Sequence, residues 1–228
     1  MPRFARLNTL IAIKEVGVIP IFYNSDIQTC INIVKACTDG GARCIEMTNR
    51  ADRAIDVFSK VEEYCSKELS QTIMGAGSIV DAQTASAYIN AGANFIVGPI
   101  LDEETAIICN KRKIPYSPGC ATATEIQKAH SFGVEYCKVF PGKQVGGPEF
   151  VKAILAPCPW TQIIPTGGVE ATEESLHEWF KAGVACIGMG SNIITKEIIK
   201  NKDFDKLAQD VKKVIDTIKK IRLKLNQN

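Results

Sequence analysis

An α/β fold, a single (β/α)8 TIM barrel with an extra N-terminal helix, is what this sequence predicts, and three observations predict it. Eight short apolar runs punctuate the chain. Amphipathic stretches with helical spacing fill most of the gaps between them. Glycine closes helix after helix just before the next run begins, in AGANFIVG, AGVACIGM and the related GGARCIEM.

The runs, in order, are residues 17–22 (GVIPIF), 43–48 (RCIEMT), 72–75 (TIMG), 94–98 (NFIVG), 115–117 (PYS), 135–140 (EYCKVF), 162–166 (QIIPT) and 185–189 (ACIGM). Continuous apolar runs of this length, rather than strict alternation, are the mark of parallel strands buried on both faces. Between the first two runs, residues 26–39 place Ile27, Cys30, Ile31, Val34 and Cys37 near helical spacing. That stretch opens on Ser25 or Asp26 as a cap and stops at Gly40-Gly41. Residues 52–65 carry Ala54, Ile55, Val57, Phe58 and Val61 in the same manner, and residues 176–182 close with Ala-Gly before the last run. Residues 3–15 read as a helix covering the bottom of the barrel. The C-terminal residues 203–228 form a long amphipathic helix, with Leu207, Val211, Val214, Ile215 and Ile218 on one side and lysines mixed with aspartates on the other. No composition break divides the chain, so residues 1–228 are expected to form one domain. A doubly wound open sheet is the structural rival, but the Gly-rich first turn that it uses is missing after Phe22.

The 228 residues are 46% hydrophobic and 23% charged with a formal net charge of +2, an ordinary globular balance that gives no reason to expect a nucleic-acid partner. The nine cysteines are scattered without a C-x-x-C pair, and Cys44, Cys137 and Cys186 sit inside apolar runs, which suggests a reducing compartment. The first residues, MPRFARLNTLIAIKEVG, lack the apolar core and cleavage site of a signal peptide, and no segment is long and apolar enough to span a membrane. A cytoplasmic location without membrane association is expected.

Charged residues inside strands buried on both faces are costly unless they reach the open mouth of the barrel. Nearly all of the 27 Lys and Arg residues fall in helices, loops or the tail, but Lys138 lies between Cys137 and Val139 near the end of the sixth run. A desolvated amine loses its charge more readily, and neutral lysine attacks carbonyls to form imines. Pairing with a buried carboxylate is the alternative role. Glu46 is the acidic counterpart near the end of the second run, with Cys44 and Thr48 on its side of the strand, and Arg50 follows in the loop above. Glu46 suits proton transfer at an imine or serves as the ion-pair partner of Lys138; Arg50 offers a planar fork for a carboxylate or remains a solvated loop residue.

Two glycine-bearing turns, Thr166-Gly167-Gly168 and Gly188-Met189-Gly190-Ser191, follow the last two runs, where many barrels bind phosphate with backbone amides. They also suit tight turns without a ligand. Gly75-Ala76-Gly77-Ser78 reads as a further small-residue turn, in which Ser78 bonds a carboxylate, caps the next helix, or does both. The two histidines, His130 and His177, lack ligand spacing, so a divalent-metal mechanism is disfavoured and no metal site is expected.

The runs IEMTNR, GAGS, KVFPG, VGGPEFVKAI, PTGGV and EWFKAGVACIGMGS, in this order over nearly the whole chain, resemble the 2-keto-3-deoxy-6-phosphogluconate (KDPG)/4-hydroxy-2-oxoglutarate (KHG) aldolases. The resemblance implies that Lys138 is the Schiff-base lysine and Glu46 the general acid/base, with no cofactor beyond that covalent adduct. It further implies that Arg50 and Ser78 bind a keto-acid carboxylate, that Pro99 and Phe140 shape the pocket, and that Thr166, Gly167, Gly168 and Ser191 surround a distal phosphate. A homotrimer is implied as well. Ser78 stands where the family usually has threonine, and Phe22-Tyr23-Asn24 where some relatives carry an arginine suited to phosphate, which leaves room for an unphosphorylated substrate. Two other functions stay open on the residues alone: a phosphosugar isomerase or synthase using Lys138 as a charge, and a catalytically silent ligand-binding barrel.

Overall fold

The computed structural model describes residues 2–227. Helix α1 (Arg6–Val16) ends at Gly17, whose φ of 81° forms a left-handed cap. Then β1 (Val18–Phe22), α2 (Ile27–Asp39), β2 (Cys44–Thr48), α3 (Ala54–Glu68), β3 (Ile73–Gly77), α4 (Ala82–Asn90), β4 (Ile96–Val97), α5 (Glu103–Arg112) and β5 (Tyr116–Ser117) alternate. They are followed by β6 (Gly119–Cys120), α6 (Ala123–Ser131), β7 (Tyr136–Val139), α7 (Gly147–Leu155), β8 (Gln162–Pro165), α8 (Glu173–Lys181), β9 (Ile187–Met189), α9 (Lys196–Asn201) and α10 (Phe204–Leu225). Aspartate and threonine side chains cap most of the helices. Asp26 accepts from the Thr29 amide, Asp81 from Thr84, Asp102 from Thr105 and Thr122 from Glu125.

All eight apolar runs carry a strand. Six strands pair in parallel in the order β5-β4-β3-β2-β1-β9, and three more in the order β6-β7-β8. A parallel bridge between Thr166 and Gly188, with the Ala185 amide donating to the Ile163 carbonyl at 2.9 Å, links the β8 end to the β9 end. The architecture is an α/β fold around a curled parallel sheet. The β6 segment lies beyond the fifth run as read from sequence. Pro118, which lacks a backbone N–H, separates β5 from β6, yet its carbonyl still accepts from the Lys138 amide at 2.9 Å, so the chain pairs with β4 before the proline and with β7 after it.

Side chains alternate between the two faces of the sheet. Val18, Ile45, Met47, Met74, Ile96, Cys137, Val139, Ile163 and Ile187 pack outward with the helices. Ile19, Ile21, Cys44, Ile73, Phe95, Val97, Tyr136, Ile164 and Cys186 form the second cluster, inside the curl, with Ala12 and Ile13 of α1. Helix α1 thus floors the interior. It is tied there by Arg6 to Glu135 at 2.7 Å and by the Tyr136 hydroxyl donating to the Leu10 carbonyl at 3.1 Å, and the segment before it by Arg3 to Glu62 at 2.6 Å. Leu207, Val211, Val214, Ile215, Ile218 and Ile221 bury the apolar face of α10. Eight of the nine free cysteines are buried, as expected of small core residues. No helix among the described residues is long and apolar enough to cross a membrane.

Candidate active site

Lys138 and Glu46 both project into the interior of the curl. Glu46 is paired with Ile21 of β1 and Gly75 of β3, and Lys138 with Gly119 of β6 and Ile164 of β8; Ile21 and Ile164 both belong to the interior cluster. Glu46 is 3% exposed and Lys138 7%. Burial pushes the Lys138 amine below its ordinary value. The Glu46 carboxylate opposes that shift, and the Arg50 guanidinium adds to it. Burial also pushes the Glu46 carboxyl up, against the pull of Lys138 and Arg50. Each group is therefore moved toward its neutral form, as suits a nucleophilic amine beside a proton-transfer acid. The Lys138 nitrogen lies 4.9 Å from the centroid of the Phe140 ring.

Two spaces adjoin each other in this region. An inner cavity of about 20 Å3 is lined by Glu46, Lys138, Ser117 and Thr166 and floored by Leu10 and Ile13 of α1. A mouth cleft of about 890 Å3 is lined by Thr48, Arg50, Phe140, Gly167, Gly168 and Ser191, among others. Thr166 and Gly188 border both spaces. Eight of the ten residues singled out from the sequence thus line one or other of these two adjoining spaces. Ser78 and Pro99 line neither space: Ser78 is half-buried just after β3, and Pro99 is half-buried after β4 with its carbonyl against Gly119. Capping the next helix is not the role of Ser78, because Asp81 does so. Gly167 and Gly168, at φ of 91° and 77°, adopt the left-handed turn that directs backbone toward the cleft.

The reading of Gly75-Ala76-Gly77 as a turn is corrected: these residues complete β3, where Gly77 pairs with Thr48. Their lack of side chains has another cause. A β-carbon at Gly75 would strike the Phe95 ring, and one at Gly77 would strike the Glu46 carboxylate. Glycine inside a strand marks a close approach as readily as a turn. Sequence reasoning also passed over Ser117, a polar residue in an apolar run, and Lys196 and Lys200, which line the cleft beside Tyr23 and Asn24. The histidines lie apart, His130 on α6 and His177 on α8. Among the described residues no group of three or more His, Cys, Asp or Glu is placed to hold a metal ion.

The model of the KDPG and KHG aldolase family matches residues 11–210, a span that holds all ten residues singled out from the sequence. The chain belongs to that family. It is 28% identical over 197 residues to the 2-dehydro-3-deoxy-phosphogluconate aldolase of Treponema pallidum, a match covering 86% of this chain and 91% of that protein. Against the KHG/KDPG aldolase of Escherichia coli K12 it is 27% identical over 202 residues, covering 89% and 92%. Among solved structures, the KDPG aldolase of Legionella pneumophila, with pyruvate captured at low pH as a covalent carbinolamine, superposes with a TM-score of 0.81 at 26% identity. That match covers 90% of this chain and 97% of the other.

Proposed function

We propose that this chain is a class I aldolase that forms a Schiff base through Lys138 and cleaves 2-keto-4-hydroxy acids. The observation that carries the reading is a buried strand lysine, its amine pushed toward the neutral form, sharing one interior with a buried carboxyl pushed the same way. The Lys138 amine attacks the substrate ketone, and loss of water gives a protonated imine. That imine accepts the electron pair of the C3–C4 bond as it breaks, releasing an aldehyde and leaving an enamine. Glu46 delivers and removes the protons, and hydrolysis returns pyruvate. Arg50 and Phe140, which line the mouth cleft, respectively hold the keto-acid carboxylate and bound the pocket; for Ser78 and Pro99, which line neither space, the roles of carboxylate ligand and pocket wall rest on the family resemblance alone.

The substrates in this reading are KDPG, giving glyceraldehyde 3-phosphate, and KHG, giving glyoxylate. The names of the aligned aldolases and the pyruvate carbinolamine of the Legionella enzyme support it. For the distal phosphate, Thr166, Gly167, Gly168 and Ser191 supply hydroxyls and backbone amides, and Lys196 and Lys200 line the same cleft and supply positive charge. No cofactor enters the scheme. The same reading treats the sheet as one eight-stranded barrel in a single domain, with β5 and β6 as halves of the fifth strand and the Thr166–Gly188 bridge as the seam. It also takes a homotrimer as the assembly, testable by sedimentation, and the cytoplasm as the location, consistent with nine unpaired cysteines.

Borohydride reduction in the presence of pyruvate is the direct test. A stable adduct on Lys138, absent from Lys138→Ala, is expected; an unmodified protein overturns the mechanism. Comparing kcat/KM for KDPG and KHG then ranks the substrates.

A further inference from the structure

Among the described residues the Arg50 guanidinium has no ion pair and no side-chain hydrogen bond, although it is the group that meets a substrate carboxylate in the mechanism above. The residue is exposed and lines the mouth cleft. Its place therefore depends on the backbone beneath it. That backbone is a γ-turn at the end of β2, closed by the Arg50 amide donating to the Thr48 carbonyl at 3.1 Å. Asn49, at the centre of the turn, donates its own amide to the Gly77 carbonyl of β3 at 2.8 Å.

The Asn49 side chain breaks the pattern of its strand. Ile45 and Met47 point outward and are buried in the helix layer, and position 49 continues that face. A half-buried carboxamide there needs a partner. Helix α4 supplies it, with the Tyr88 hydroxyl donating to Asn49 Oδ1 at 3.0 Å. Tyr88 is 2% exposed, and its ring meets the Phe58 ring of α3 edge-on, with centroids 5.2 Å apart and planes at 73°. The donor is thus held by the packing of two helices. Stability alone gives little reason for such a pair, since two apolar groups of the same shape would pack there about as well. What a directional bond adds is one fixed orientation of the turn. Orientation matters here because Arg50 lies close enough to act on the charges of both Lys138 and Glu46.

We infer that Tyr88 and Asn49 are positioning residues, whose hydrogen bond locks the turn after β2 and so aims Arg50 at the substrate carboxylate. Neither side chain lines the mouth cleft or the inner cavity, so both act through Arg50. The inference rests on the aldolase reading and on Arg50 as its carboxylate ligand. It concerns binding rather than chemistry. Lys138 and Glu46 sit within strands, fixed by the β6-β7-β8 and β1-β2-β3 ladders, which a looser turn leaves in place. The carboxylate is held alike before and during reaction, and loss of such uniform binding raises KM without lowering kcat.

Tyr88→Phe deletes the donor and Asn49→Ala the acceptor, and exchange of the pyruvate methyl protons with D2O in the full-length protein reads both. Each variant should raise KM for pyruvate roughly three- to tenfold, a part of the ~10–100-fold that a hydrogen bond to a charged group represents. The maximal exchange rate should stay within about twofold of wild type. The two changes remove one bond, so the double variant should show little more than either alone. In an Arg50→Ala background, where KM is already raised, Tyr88→Phe should add nothing, an outcome that a merely structural role for Tyr88 does not produce. Wild-type KM in Tyr88→Phe, a lowered maximal rate, wild-type KM in Arg50→Ala, or a further rise in that background each overturns the inference. Should Asn49→Ala fail to fold, Tyr88→Phe, which keeps the packed ring, decides alone. Borohydride trapping with pyruvate in the wild type separates the two claims: no adduct sinks the aldolase reading, whereas an adduct with KM indifferent to Tyr88 sinks only the positioning role.

Discussion

The carboxylate of Glu46 occupies the space that a β-carbon on Gly77 would fill. Gly77 pairs with Thr48, two residues beyond Glu46 on β2, so the bare backbone of β3 is the surface on which the acid rests. Gly77→Ala should therefore move the carboxyl rather than unfold the sheet, because the end of a side chain yields more easily than backbone. Misplacement of a reacting group by about 1 Å can cost ~10²-fold in rate, and a loss of that size in kcat/KM is expected with Tm changed by only a few degrees. In a double-mutant cycle, Gly77→Ala should add little to Glu46→Gln. Additive losses would show that the glycine acts elsewhere.

The electrostatics of the interior make opposite predictions for two neighbours of Lys138. Burial depresses its pKa, Glu46 raises it and Arg50 lowers it further. Glu46→Gln removes the attraction, so the amine should become neutral at lower pH than in the wild type. Arg50→Gln removes the repulsion, so neutrality should require higher pH. The rate of Lys138 alkylation against pH, read by peptide mass spectrometry without substrate, tests both. Shifts in the same direction would contradict the arrangement.

Burying this pair has a cost to stability. Because the folded pKa of Lys138 lies below its ordinary value, the unfolded chain holds that proton more tightly. The resulting contribution favours folding fully above the ordinary lysine pKa and is lost as pH falls through the folded value. Glu46 runs the other way: its raised folded pKa favours folding below the ordinary carboxylate value, a benefit lost as pH rises through the folded one. Near neutral pH both are at a disadvantage. Replacing them together, as Lys138→Met with Glu46→Gln, should abolish turnover and raise stability by roughly 1–4 kcal/mol. At about 2–4 °C per kcal/mol for a chain of this size, thermal unfolding would detect it. A lower Tm in the double variant would mean that the pair holds the sheet together.

Charge at the mouth makes the substrate question concrete. Lys196 and Lys200 border the same cleft as Gly167, Gly168 and Ser191. The pair of substitutions Lys196→Glu and Lys200→Glu should raise KM for KDPG about tenfold or more while leaving KHG within about threefold, since only the former places a dianion there. Equal effects on both substrates would assign the lysines to the surface alone.

Much of this was legible in the chain before folding. Parallel strands buried on both faces leave continuous apolar runs, so the sheet announced itself, and a lysine or glutamate inside such a run stood out because burial makes it expensive. What stayed hidden depended on the third dimension. Pro118 ended the fifth run on paper but not in space. Gly75 and Gly77 carry a turn signal, yet they answer to Phe95 and Glu46 on neighbouring strands. The loop after Phe22 looked short of positive charge because the lysines lining its cleft lie more than 170 residues away in the chain. Ser117 was masked by the brevity of its run.

The floor of the interior depends on a residue far from the chemistry. Arg222, on α10, donates to the carbonyls of Lys14 and Glu15 at 2.7 and 3.0 Å and to that of Ala185 at 2.7 Å, and its guanidinium lies 5.0 Å from the Phe180 ring centroid. It thus joins the end of α1, the approach to β9 and α8. Hydrogen bonds from a charged donor contribute about 1.5–3 kcal/mol, and Arg222→Ala also leaves the Ala185 carbonyl without this partner. A loss of roughly 2–3 kcal/mol is expected, a fall in Tm of about 4–12 °C at the scaling above. Lys138, Glu46 and the mouth cleft touch none of these groups, so kcat at low temperature should stay within about twofold of wild type. If kcat fell in proportion to stability instead, α1 would be coupled to the geometry of the reacting pair through Leu10 and Ile13, the two residues it contributes to the cavity floor.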